Sequence, residues 1–88
     1  MALKDWMIAF NNAKEMEANG EQGTALIAEY EKVIGKMDEG PFTDAQNHIR
    51  KEVFRNLYEL LTLEGDEEKA KHYKELADAL TDLTFSED

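Results

Sequence analysis

Two histidines, His48 and His72, are the imidazoles this 88-residue chain offers for acid–base or metal chemistry. Neither has Glu three residues before it, so the Glu-x-x-His pair by which helical bundles hold iron is absent. Glu68 and His72 stand four apart and would share a helix face, a spacing that binds a metal weakly and fits a solvated pair better. Ser86 is the one serine and cysteine is missing, which removes nucleophile triads, disulfides and thiolate-held zinc. Glu64, Asp66, Glu67 and Glu68 crowd together but fall at a turn, whereas an acid–base dyad needs a desolvated cleft to drive its pKa values apart. His48, Arg50, Lys51 and Arg55 form a basic cluster that reads as charge balance, with contact to an acidic partner as the sharper alternative. No Gly-rich phosphate loop, His-Glu-x-x-His motif or calcium-type ligand series occurs. The expectation is a protein that is not an enzyme and uses no cofactor or metal.

Charge narrows the partners. Twenty acidic residues against 10 basic ones give −10 and a pI near 4.5, the wrong sign for binding nucleic acid or anionic lipid directly. The longest purely apolar run is Ala25-Leu26-Ile27-Ala28, far short of the roughly 20 residues a membrane helix requires. The first residues carry Lys4 and Asp5 and a stretch broken by Asn11 and Asn12, unlike a signal peptide. These features predict a soluble, cytoplasmic protein with a protein partner, itself a monomer or weak homodimer.

The elements that must position these residues are helices. Leu, Met and Ala far outnumber the β-branched Ile and Val, which lose rotamer freedom in a helix. Leu3, Trp6, Met7, Phe10, Ala13 and Met16 recur at three- and four-residue steps. Leu26, Tyr30, Val33 and Met37, widened by Ile27 and Ile34, make a second stripe. Ile49, Val53, Leu57 and Leu60, with Phe54, Tyr58 and Leu61, make a third, and Ala70, Tyr73, Leu76, Ala77, Leu80 and Leu83 a fourth. The aromatic and Met residues on these stripes are core filling rather than a stacking platform.

The breaks between stripes carry turn chemistry. Asn19-Gly20, Gly40-Pro41 and Gly65 close helices. Thr43-Asp44-Ala45-Gln46 matches a capping box, and Asp66 caps the last helix with Glu67 and Glu68 in its first turn. The predicted helices span 3–18, 23–38, 44–64 and 67–84, and the two-residue break at 65–66 forces an antiparallel pair. The expected fold class is all-α, one domain over 1–88 of four helices as two antiparallel hairpins or a small four-helix bundle, with an acidic tail from about 85.

From Leu63-Glu64-Gly65-Asp66 through Ala70 to Ala77 the chain resembles the second half of a tetratricopeptide repeat, with Gly65 at the turn and Ala70 and Ala77 at small packing positions. Phe54, Leu57 and Leu61 stand where that repeat places first-helix core residues, and Phe10, Ala13 and Tyr30-Glu31-Lys32-Val33-Ile34 echo it upstream. Tyr58 and Lys14 are bulky where the repeat has small residues, and Tyr30 to Tyr73 exceeds its usual spacing of about 34 residues. The resemblance implies stacked helical hairpins that bind a peptide or protein along the first helix of each hairpin. Carried onto this chain, that face holds Ile8, Asn11 and Glu15, then Glu52, Arg55, Glu59 and Thr62, with Arg55 as the anchor for a carboxylate. The Lys and Asn set that some such domains use for a C-terminal carboxylate is not reproduced.

Two functions follow as expectations. One is a protein-interaction module or adaptor with a groove between helical hairpins. The alternative is an acidic inhibitor of phage or mobile-element type that imitates nucleic acid, with Glu67, Glu68, Glu75, Asp78 and Asp82 as its surface. Basic residues are interleaved with the acids as far as Lys74, and the charge is split evenly between the halves of the chain, which favours the first.

Overall fold

Gly23, Thr43 and Gly65 mark three of the helix boundaries. The structure, a computed structural model, describes residues 4–37 and 41–84, the last four by backbone alone. Within them lie α1 (Asp5–Ala18), α2 (Thr24–Lys36), α3 (Asp44–Glu64) and α4 (Glu67–Thr84), an all-α architecture without strands among the described residues. Leu3, Gly40, the side chains of Asp82 and Leu83, and the acidic tail with Ser86, Glu87 and Asp88 fall outside what is described.

Thr43 caps α3: its hydroxyl accepts from the Gln46 N–H at 3.1 Å, and the Gln46 side chain accepts from the Thr43 N–H at 2.9 Å. Gly65 ends α3 at φ 85°, a conformation that costs a side chain dearly, while Asp66 N–H donates to Leu61 O and Gly65 N–H to Thr62 O. Asp66 then accepts from the Lys69 N–H and opens α4. The same closure ends α1, where Glu21 N–H donates to Met16 O and Gly20 N–H to Glu17 O. Gly23, at φ 84°, is the residue before α2, so that helix starts at Thr24, one residue later than the stripe predicts.

The helices form two antiparallel hairpins, α1–α2 and α3–α4. Among the described residues, helix backbones approach only their sequence neighbours, α1 with α2, α2 with α3 and α3 with α4. That is an open stack, not a closed bundle in which the first and last helices meet. It leaves α1 and α3 running parallel: Lys14 pairs with Glu52, and one turn on Glu17 reaches Asn56 through the Tyr30 hydroxyl.

The core is assembled from all four helices. Leu26, Tyr30 and Val33 of α2 and Val53 and Leu57 of α3 are almost wholly buried, with Ala9, Ala13 and Ala70 closing the approach of α1 and α4. A smaller cluster of Phe54, Ala77 and Leu80 holds the far end of the second hairpin, where the Phe54 and Tyr73 rings stack at 5.8 Å. Of the third stripe Val53, Phe54, Leu57, Leu60 and Leu61 are buried and Ile49 and Tyr58 half-buried; of the fourth Ala70, Ala77 and Leu80 are buried and Tyr73 and Leu76 half-buried. On α1 the fully buried residues are Ala9 and Ala13, and Trp6, Phe10 and Met16 flank them half-buried. No described helix is long and apolar enough to cross a membrane.

Candidate partner-binding face

The exposed side of α3 carries a depression of about 480 Å³, lined by His48, Ile49, Lys51, Glu52, Arg55, Asn56 and Glu59. Spacings of three and four along one helix bring these side chains together, because Val53, Leu57 and Leu60 turn the other way into the core. Arg55 stands on a ridge. On its far side a depression of about 190 Å³ opens over the α3–α4 seam, where Tyr58, Lys74, Ala77 and Asp78 join Arg55 and Glu59. Arg55 is exposed and makes no hydrogen bond or ion pair among the described residues, so its fork of donors faces solvent.

Glu52, Arg55 and Glu59 of the expected face therefore share one groove. Glu52 is already engaged by Lys14, which bridges α1 to α3. Thr62 lies one depression further along the seam, and its hydroxyl is spent on the Tyr58 carbonyl at 2.6 Å. Asn11 and Glu15 are exposed on α1, Asn11 one turn before Lys14. Ile8 goes elsewhere. It is 45% exposed and lines a separate hollow of about 240 Å³ on the α1–α2 side with Asn12, Glu29 and Lys32.

Glu67, Glu68, Glu75 and Asp78 are exposed on α4, as expected for an acidic surface, but not alone. Lys74 donates to Asp78 at 3.1 Å, Lys69 reaches back to Glu31 at 3.0 Å, and Lys71 is exposed between them. The basic cluster is divided. Arg50 lies 4.1 Å over the Phe42 ring and 5.6 Å from Phe54, donates to Asn47, and has its pKa lowered by burial. His48, Lys51 and Arg55 line the groove instead.

Two tyrosines fasten the helices that frame this face. Tyr30 donates to Glu17 at 3.0 Å and accepts from Asn56 at 3.2 Å, tying α1, α2 and α3 at one atom. Burial first, then the Glu17 carboxylate, raises its pKa. Tyr73 donates to Glu31 at 2.8 Å and joins α4 to α2; burial, followed by that bond, pushes it up to about 12. Their apolar spacing marks both as core residues, but nothing local in the sequence pairs them with carboxylates far along the chain. Leu63, 76% exposed, also escapes the sequence pattern because it falls between Leu60 and Leu61 and the turn.

Among the described residues no three His, Cys, Asp or Glu side chains converge as a metal site. The α3 groove is open to solvent and offers a guanidinium, an ammonium, an imidazole, carboxylates and an amide, groups that recognise a polar ligand by charge and hydrogen bonding. No family model matches the chain, and neither a curated protein nor a solved structure matches it.

Proposed function

We propose that the chain is a non-enzymatic protein-interaction module of tetratricopeptide-like build, whose α1–α3 face receives a segment of a partner protein. The observation that carries this reading is the unpaired Arg55 guanidinium on the ridge between two depressions of the α3 surface. A guanidinium so placed takes a carboxylate of the partner bidentately, with Lys51 in the same groove adding charge. The open stack supports the same reading, because the Lys14–Glu52 ion pair bridges the first helices of the two hairpins across a shared surface. The acidic-mimic alternative has less behind it, since Lys69, Lys71 and Lys74 break up the carboxylates of α4 and Asp78 is already paired.

A peptide-display selection on the intact chain tests the proposal. Selected peptides should carry Asp or Glu, and Arg55→Glu should weaken them at least about tenfold, because a lost ion pair becomes a like-charge contact. Arg55 is exposed, so the circular-dichroism spectrum should not change. Peptides that bind the variant as tightly as the wild type would remove this face from consideration.

A further inference from the structure

The ends of α1 and α3 arrive side by side, and the surface between them differs from the rest of the α1–α3 face. A cleft of about 220 Å³ there is lined by the exposed Leu63, by Leu26 and Leu60, which are otherwise buried in the core, and by Glu17, Glu21 and Glu59, and no Lys or Arg lines it. Leu63 is the most exposed large apolar side chain described. Neither helix carries a basic residue in its last turn, so two sets of terminal carbonyls point the negative ends of their dipoles to this end without a cation of their own. Glu17 accepts from Tyr30 and lies 3.7 Å from Lys14, but Glu21 and Glu59 have no cationic partner among the described residues.

We infer that this cleft binds a basic amphipathic segment of a partner protein, a large apolar side chain seating against Leu63 while a neighbouring Lys or Arg meets Glu21 and Glu59. An exposed leucine without charges around it would accept any apolar chain. Glutamates without leucine would attract cations loosely and without position. Together they select a segment with both features within one helical turn, the groove mode in which apolar anchors give affinity and charges give register. The net charge of −10 steers the same class of partner toward the molecule. The inference rests on the protein-interaction reading but names different chemistry in the adjoining depression further along α3, with Glu59 lining both. There, His48, Lys51 and Arg55 favour an acid; here, glutamates favour a base. A partner spanning the whole face would carry its acidic and basic groups in that order along α3.

The test uses the intact chain and a fluorescein-labelled peptide of Leu, Ala and Lys with apolar residues on one helical face. Two controls replace every Lys by Glu or every Leu by Ser. Anisotropy should show saturable binding of the first peptide and none of the controls, with amide shifts gathered at residues 20–22 and 60–63. Leu63→Ser should weaken it about tenfold, the factor expected when most of one leucine contact is lost. Its exposure makes it a safe change for folding, and an unaltered melting temperature confirms that. Glu59→Gln should weaken binding less and flatten its salt dependence. Arg55→Glu should leave it unchanged or tighten it. Absence of saturable binding overturns the cleft, as does equal affinity for the Ser control or for Leu63→Ser. Shifts centred on Arg55 also overturn it, while leaving the protein-interaction reading in place.

Discussion

Helices α1 and α3 have the same role, each the first helix of its hairpin and each a border of the shared face, yet they are held very differently. The 21 residues of α3 bury Val53, Phe54, Leu57, Leu60 and Leu61 and begin with a complete capping box. The 14 residues of α1 bury only Ala9 and Ala13 and begin at Lys4 with no side-chain cap. Alanine removes little surface from water but lets backbones come close, so α1 docks by proximity, by the half-buried Trp6, Phe10 and Met16 and by polar ties, where α3 docks by fully buried large side chains. Those ties are Lys14 to Glu52 and the Tyr30 hydroxyl shared by Glu17 and Asn56. The comparison teaches that the proposed face has one fixed border and one lightly held border, so that adjustment to a partner would fall to α1.

The strongest way to break this comparison is Leu57→Ala. Leu57 is fully buried, so the substitution should cost about 2–5 kcal/mol in urea unfolding, whereas a change near zero would deny α3 its anchoring role. Ala13→Leu comes next. Ala13 has no exposed surface, and the larger side chain must push α1 from α2, at about 1–3 kcal/mol. Hydrogen exchange should then show α1 amides opening first, and protection of α1 equal to that of α3 would contradict the contrast. Tyr30→Phe sharpens the picture by removing one atom from three helices. About 0.5–1.5 kcal/mol should be lost, with faster exchange in α1 than in α4. Uniformly faster exchange would mean that the hydroxyl does not favour α1.

The smallest effect concerns Tyr73, which fastens the second hairpin to the first. Its pKa, raised from 10.0 to about 12 by burial and then by Glu31, means the folded chain keeps a proton that the unfolded chain releases. This contribution is complete below about pH 10 and is lost as pH rises through about 12, so stability should decline over that window. Tyr73→Phe should flatten the alkaline decline measured by thermal melting. An unchanged slope would place its cause elsewhere.

Much of the α3–α4 hairpin is legible in the residues. Thr43 and Gln46, Gly65 and Asp66 act through bonds to their own neighbours, and an apolar repeat of five large side chains has one way to face a core. The α1 stripe is harder to read because its buried residue Ala9 carries almost no hydrophobic signal, while the louder Trp6 and Phe10 stay half-buried. The grouping of Glu52, Arg55 and Glu59 follows from helical spacing and the resemblance together. Helix-face reasoning puts Ile8 with them, but it lines the α1–α2 hollow, because the rotation of α1 is fixed by the small residues it turns toward α2. Leu63 has no local signal as a candidate, since its exposure depends on where the α1–α2 turn ends relative to α3.

What the sequence determined by itself is local: four helices, their caps and stops, the hairpin forced at Gly65-Asp66, and a net charge of −10. Each depends on residues within a few positions or on composition, where physics acts without knowledge of the fold. Only the tertiary structure decided that the helices stack openly, that α1 lies parallel to α3, and that Tyr30 and Tyr73 clasp carboxylates from other helices. The same is true of Arg50, drawn onto Phe42 and Phe54 and away from the other basic residues, and of Leu63 among Glu17, Glu21 and Glu59. These are relations between distant segments, set by how neighbouring helix surfaces fill space against one another. A helical period specifies which face is buried, but not which helix will bury it.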